Sequence, residues 1–168
     1  MGHDAARRCL IFEPVDGGLR LTIDNHSRDV VAHLLGELRD EVEVAKTTTP
    51  AALEPHMKRL FPTAYHNDEQ HNDEYRRLTH SDLADTHLAA LNDAVLLLTP
   101  GRVFAEGDLE QFVRAINAMR LVLGTVLDVS EDDADDETPD SDDPVALQRE
   151  VYHYLGWLLH TSLDQLRT

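Results

Sequence analysis

The chain has 168 residues, 42% of them hydrophobic, and a formal net charge of −17 at pH 7. A chain of this size predicts one domain, residues 1–168, with enough apolar side chains for one core. No stretch approaches the ~20 apolar residues of a membrane span, and the N-terminus lacks the apolar run of a signal peptide. A single cysteine excludes an intramolecular disulfide and fits a reducing compartment. We therefore expect a cytoplasmic protein without membrane contact.

Residues 9–24 are the one region whose pattern predicts β-strands. Residues 19–23 alternate apolar and polar side chains, with the period of a half-buried strand. Asp16, Gly17 and Gly18 supply residues that accept positive φ, so a hairpin is expected there. Pro14 lacks a backbone donor, which indicates an edge strand or a bulge. Because a lone hairpin is marginal in water, it should pack on helices.

The next segments have the three- and four-residue apolar spacing of amphipathic helices. Residues 28–45 form the first predicted helix, with Ser27 as its cap. Proline at the first helical position then opens a short helix after Thr49, and Pro55 interrupts it. A further helical piece runs through residues 75–78, ends at Thr79 or Ser81, and is followed by a helix over residues 82–98.

Two long helices complete the prediction. After an extended link at Val103 and Phe104, residues 108–128 form a central helix, with Asp108 as an acceptor for its first free amides. Residues 144–166 form the last helix. Glycines in both, Gly124 and Gly156, indicate close helix contact because glycine otherwise lowers helix propensity. The predicted fold class is mainly α: one bundle of about five or six helices with a small N-terminal β-hairpin.

Residues 129–143 are expected to form an acidic, flexible loop within this domain. Ten of the 32 acidic residues lie between Asp128 and Asp143, where no basic residue occurs. The rest of the chain contains 22 acidic and 15 basic residues. The chain therefore has no basic stripe that could neutralise phosphates, which argues against direct nucleic-acid binding.

The most ligand-like residues lie in a doubled segment, His-Asn-Asp-Glu, at 66–69 and 71–74. Imidazole and carboxylate groups can bind zinc or another divalent ion. The two histidines are about 140° apart on a helix, however, so a solvated helix entry is the competing interpretation. The candidate metal ligands are His66, Glu69, His71 and Glu74.

Other titratable residues leave two interpretations open. His80 with His87, and His153 with His160, share a helix face and could form pH-sensitive patches; ordinary half-buried helix positions are the alternative. Cys9 follows an arginine that could give it thiolate character, and an inert cysteine on the packed side of the hairpin is the alternative. No nucleophile motif, phosphate-binding glycine loop or dinucleotide fingerprint occurs. We therefore expect no enzymatic activity and no cofactor.

Several segments resemble an actinobacterial family of small helical proteins, one branch of which is the oxidative-stress-responsive transcription regulator AosR. The resemblance rests on residues 60–65 (Leu-Phe-Pro-Thr-Ala-Tyr), 74–79 (Glu-Tyr-Arg-Arg-Leu-Thr), 120–125 (Arg-Leu-Val-Leu-Gly-Thr) and 154–158 (Tyr-Leu-Gly-Trp-Leu). The motif positions of interest are Arg76, Arg77, Arg120, Gly124, Thr125, Gly156 and Trp157. The resemblance implies redox-linked control of transcription through contacts with a protein partner that belongs to the transcription machinery.

One departure from that family concerns the thiols. The resemblance implies that the regulator branch senses oxidants through a pair of N-terminal thiols, whereas this chain has Cys9 alone. An intramolecular disulfide switch is excluded, which leaves an intermolecular or mixed disulfide. The first functional hypothesis is thus a regulatory protein-interaction module, monomeric or homodimeric. The alternative is a small-ligand or metal-binding protein that uses residues 66–74. We also expect Arg120 to reach a carboxylate at the edge of the core, from the first or last helix.

Overall fold

The computed structural model describes residues 11–62, 69–128 and 144–168, apart from the side chains of residues 69–72, 76 and 144. These residues form three short strands and five α-helices, which confirms the mainly α class and the N-terminal hairpin. The elements are β1 (Phe12–Val15), β2 (Gly18–Leu21), α1 (Asn25–Thr47), α2 (Pro55–Lys58), α3 (Glu69–Leu97), β3 (Val103–Phe104), α4 (Asp108–Val126) and α5 (Pro144–Leu166), with a 3-10 turn at Pro50–Ala52. Within the described ranges, none of the helices has the length and apolar character needed to cross a bilayer.

The sheet has the order β1-β2-β3, and both pairs are antiparallel. Val15 lies opposite Gly18 across the predicted turn, where Gly17 has φ +87° and Gly18 has φ +153°. Gly18 also permits a close approach, since a Cβ there would collide with the carbonyl oxygen of Phe104. The extended backbone predicted at Val103 and Phe104 is confirmed, and these residues also pair with β2 as a third strand, which was not predicted. β1, which contains Pro14, is an edge strand, one of the two predicted alternatives.

Three phenylalanines join the sheet to the helices. Phe12 of β1 and Phe104 of β3 have ring centroids 5.5 Å apart, and Phe112 of α4 lies 6.4 Å and 5.4 Å from them. All three pairs have the edge-to-face geometry that aromatic quadrupoles favour. Because Phe112 is 0% exposed, this aromatic cluster (Phe12, Phe104 and Phe112) packs the three-stranded sheet onto the central helix.

Helix α1 begins earlier than predicted. Asp24, not Ser27, is its N-cap: the Asp24 carboxylate accepts a hydrogen bond from the Ser27 amide at 2.9 Å and from the Ser27 hydroxyl at 2.7 Å. These bonds hold the pKa of the Asp24 carboxyl below its usual value. Ser27 therefore lies inside the first turn, where it reinforces the cap.

Helix α3 is continuous over 29 residues, so the predicted break at Thr79 or Ser81 is wrong. Serine and threonine favour helix ends because their hydroxyls compete for backbone groups. Here the Thr79 hydroxyl donates to the Tyr75 carbonyl at 2.7 Å, one turn earlier in the same helix. This local bond satisfies the hydroxyl without ending the helix.

Helix α4 is central, as predicted, because it packs against α1, α2, α3 and α5. It begins at Asp108, but its N-cap is Gly107, whose φ of +87° suits glycine. The Asp108 carboxylate accepts a hydrogen bond from the Ala105 amide at 2.8 Å. The prediction of a bond to the first helical amides is thus corrected: Asp108 fixes the preceding turn.

Candidate functional site

The glycines of α4 and α5 mark a close contact between these helices. A Cβ on Gly124 would lie 3.0 Å from Cε2 of Tyr152, and a Cβ on Gly156 would lie 3.3 Å from Nε of Arg120. Each glycine therefore makes room for a large side chain of the other helix. The sequence predicted this closeness from Gly124 and Gly156, but it did not single out Tyr152.

Arg120 stacks on Tyr152 instead of pairing with a carboxylate. The guanidinium carbon of Arg120 lies 4.9 Å from the ring centroid of Tyr152, a distance at which the negative ring face attracts a cation. Among the described residues Arg120 has no ion pair, and its buried Nε has no hydrogen-bond partner. The expectation of a carboxylate is corrected: the last helix does supply the partner, but through an aromatic ring.

The Thr125 side chain is also engaged within the fold. Its hydroxyl donates to the Leu121 carbonyl at 3.0 Å within α4. Arg120, Gly124, Tyr152 and Gly156 form what we call the α4–α5 clasp. The clasp fixes the distance between α4 and α5. The Arg120 guanidinium stacks on the Tyr152 ring, and the two glycines let the helices approach closely.

The outer face of α5 carries an exposed aromatic residue. Trp157 is 41% exposed, and its ring centroid lies 5.4 Å from that of Tyr154 at an interplanar angle of 42°. Farther along the same face, Nε2 of His160 lies 3.4 Å from an Asp164 carboxylate oxygen. Trp157 thus presents an indole to solvent beside charged groups.

The clasp and the exposed tryptophan both lie within a region matched by a known protein family. The sequence pattern of the family described as a domain of unknown function, DUF2017, matches residues 6–166. The chain belongs to this family. Comparisons of this DUF2017 chain with curated proteins and with solved structures found no match.

In the DUF2017 chain, Tyr154 is half-buried beside Ser27 at the start of α1. Burial raises the pKa of the Tyr154 phenol, and the nearby Ser27 side chain partly opposes this shift. The folded-state pKa is therefore above the unfolded-state value of about 10. The corresponding stabilisation is complete below that pH and is lost as the pH rises through the folded-state pKa.

This shift predicts a difference between Tyr154→Phe and the parent chain in alkaline solution. Phenolate absorbance should show a component that ionises above the usual pH range of tyrosine, and Tyr154→Phe should remove that component. Above about pH 10, the free energy of unfolding should fall more steeply for the parent chain than for the variant. Tyr75→Phe is the matched control, because Tyr75 is 43% exposed. Loss of the late component in the control instead would contradict the assignment.

The metal candidates of the DUF2017 chain lie largely outside the described residues. His66 falls between the described ranges, and the side chains of Glu69 and His71 are not described, although α3 includes both positions. Glu74 is exposed on α3. Among the described side chains, no group of three histidine, cysteine or acidic residues could hold a metal ion. The metal hypothesis for residues 66–74 stays a prediction.

The redox candidate and the paired arginines are also only partly described by the structure. Cys9 lies outside the described residues, so its redox role stays a prediction. The Arg76 side chain is also not described, whereas Arg77 is exposed on α3. Arg77 forms no ion pair with any other described residue.

Two histidines have roles in the fold. Nε2 of His80 lies 2.7 Å from the Ala45 carbonyl oxygen, and Nε2 of His87 lies 3.0 Å from that of Leu60. Between them packs Phe61, whose ring centroid is 4.5 Å from that of His80 and 6.0 Å from that of His87. The half-buried interpretation of this pair therefore agrees with the contacts: both rings tie backbone carbonyls to α3.

Arg28 is a buried residue that the sequence analysis missed. It is 6% exposed, and its guanidinium donates to the carbonyls of Leu98 at 3.0 Å, Leu21 at 2.9 Å and Ile23 at 3.4 Å. These bonds connect α1 to the end of β2 and to the residue after α3. A signal was present, since Arg28 is in phase with the buried positions Val31, Leu35, Leu38 and Val42.

Proposed function

We propose that this DUF2017 protein is a non-enzymatic regulatory module that acts by binding another protein. The observation that carries the proposal is Trp157, the one tryptophan of the chain, which is 41% exposed on α5. Tryptophan, tyrosine and arginine are the residues most enriched at the energetic centres of protein interfaces. An indole that rests on Tyr154 and faces solvent is therefore a suitable anchor for a partner.

The charge of the chain favours a protein partner over a nucleic acid. With −17 overall, a phosphate backbone would be repelled rather than neutralised. The His160–Asp164 pair beside Trp157 supplies the polar rim that usually surrounds an apolar anchor. We infer that the partner presents an apolar pocket with basic groups near it.

The partner class follows from the family resemblance given by the 120–125 and 154–158 motifs. They suggest kinship with the AosR branch, and hence a cytoplasmic role in transcription control under oxidative stress. In this proposal the module contacts the transcription machinery and does not read bases. Cys9 would respond to oxidant through a mixed or intermolecular disulfide.

The test is affinity capture from an actinobacterial lysate with the full chain and with Trp157→Ala. The full chain should retain a component of the transcription machinery at physiological salt. Trp157→Ala should weaken that binding about thirtyfold or more, because truncating an anchor residue costs about 2 kcal/mol or more. Isothermal titration with the purified partner would measure the change.

Leu96→Ala is the matched control, since Leu96 is 58% exposed and lies on α3. It should bind as the unchanged chain does. Recovery of no transcription component, or equal binding by Trp157→Ala and Leu96→Ala, would rule out this function. A separate comparison of Cys9→Ser with the parent chain under oxidant tests the thiol role: unchanged partner binding and unchanged oligomeric state would exclude it.

A further inference from the structure

A cleft between the end of α1 and the middle of α3 has features that the proposed function does not use. It encloses about 280 Å³, and its lining includes Lys46, Thr49, Arg77, His80 and Ser81. This volume is near the lower end of the range for small-molecule sites, about 300–1,000 Å³. The cleft is thus large enough for a phosphate group with a small organic remainder.

The charged side chains that line the cleft are basic. Its lining contains Lys46 and Arg77 but no carboxylate, although the chain carries −17. Lys46 is held in place by Asp85, whose Oδ1 lies 2.6 Å from Nζ. Arg77 is exposed and makes no hydrogen bond or ion pair within the part of the chain that the structure describes. A planar guanidinium without a partner is well suited to bind an oxyanion with two parallel hydrogen bonds.

The neutral groups of the lining are divided between structural and available donors. The Thr47 and Thr48 hydroxyls donate to the Val44 carbonyl at 3.2 and 2.8 Å. By contrast, the Thr49 and Ser81 hydroxyls form no bond to any other described residue, so both can donate to a ligand. The cleft therefore offers two hydroxyl donors besides its two cations.

The end of α1 would ordinarily oppose an anion, because a helix C-terminus carries partial negative charge. Here the Ala45 carbonyl has donors. It accepts from the Thr48 amide at 3.1 Å and lies 2.7 Å from Nε2 of His80. With this carbonyl bonded, the guanidinium of Arg77 is the group that favours an anion in the cleft.

We propose that this cleft binds a small phosphate monoester. Arg77 contacts the phosphate oxygens through both guanidinium arms, Lys46 donates an ammonium hydrogen that Asp85 does not use, and Ser81 and Thr49 donate hydroxyl hydrogen bonds. His80 forms a wall, since its Nε2 is engaged with Ala45. This inference is independent of Trp157, which lies on a different helix.

The test measures binding of inorganic phosphate and of glycerol 3-phosphate to the full chain by isothermal titration at constant ionic strength. Both should bind saturably, and sulfate should compete while chloride should not. Arg77→Gln should weaken binding about tenfold, as expected for loss of a charge-assisted hydrogen-bonding pair. Ser81→Ala should weaken it to a smaller extent.

Arg114→Gln is the matched control because Arg114 is exposed on α4, outside the lining of the cleft. It removes the same charge from the chain and should leave phosphate binding unchanged. Equal weakening by Arg77→Gln and Arg114→Gln would show only a general charge effect and overturn the site. Absence of saturable binding by both phosphate probes would also overturn it. Arg77 is exposed, so its variant is expected to fold, and thermal unfolding verifies this.

Discussion

Replacing Phe112 with alanine should lower the free energy of unfolding by about 4 kcal/mol, as is usual for a fully buried phenylalanine. The side chain is 0% exposed and contacts the rings of Phe12 and Phe104 edge to face. Its removal would leave a cavity at the junction of the sheet and α4 and break both aromatic pairs. Urea unfolding followed by circular dichroism is the measurement.

The control for this variant is Leu147→Ala, because Leu147 is 67% exposed on α5. It should change the free energy of unfolding by less than about 0.5 kcal/mol. A Phe112→Ala chain as stable as the control would mean that the aromatic cluster does not hold the sheet against α4.

Replacing Arg28 with methionine should cost about 3 kcal/mol of folding stability. Methionine keeps a similar length but cannot donate hydrogen bonds. The buried carbonyls of Leu98 and Leu21 would then lose their donors, and an unpaired buried acceptor carries its full desolvation penalty. The folding stability of Arg28→Lys should lie between those of the parent chain and Arg28→Met, since an ammonium group cannot reproduce the fork geometry of a guanidinium.

Arg102→Met provides the comparison for Arg28→Met, because Arg102 is exposed and lies outside the helices. Thermal unfolding of the three variants and the parent chain would separate the loss of a positive charge from the loss of the buried bonds. If Arg28→Met and Arg102→Met unfold at the same temperature, the carbonyl contacts of Arg28 contribute nothing measurable.

The sequence predicted those parts of the fold that depend on local spacing. The hairpin followed from alternation around Gly17 and Gly18, and α5 followed from its apolar period after Pro144. Such patterns reflect neighbours along the chain, so they are readable without the tertiary structure. The same holds for the close contacts of Gly124 and Gly156, since glycine in a helix needs a packing reason.

The errors arose where a distant residue decided the outcome. Val103 and Phe104 are too few to show a strand pattern, and only β2 defines them as one. The continuity of α3 through Thr79 was hidden because that residue type is ambiguous between helix ends and interiors. Likewise, no local rule states whether Arg120 meets a carboxylate or the ring of Tyr152.

The candidate sites were less predictable than the fold. The exposure of Trp157 depends on the side of α5 that packs inward, and the cleft of Arg77 and Lys46 joins two helices that are far apart in sequence. A cation without a partner can be recognised only when the surrounding residues are placed. The sequence indicated the motifs containing Arg77 and Trp157, but not that both side chains reach solvent.

The sheet order has a consequence for the time course of folding. β2 can pair with β3, and Phe12 can pack on Phe104 and Phe112, only after the intervening helices have been synthesised and placed. Pairing over so long a separation raises contact order, which slows folding relative to a bundle with local contacts alone. On the ribosome, elongation proceeds at about 5–20 residues per second. β1 and β2 are therefore synthesised early, but the three-stranded sheet forms only after β3 has been synthesised. The apolar face of β1 therefore stays uncovered until Phe104 and Phe112 have been synthesised.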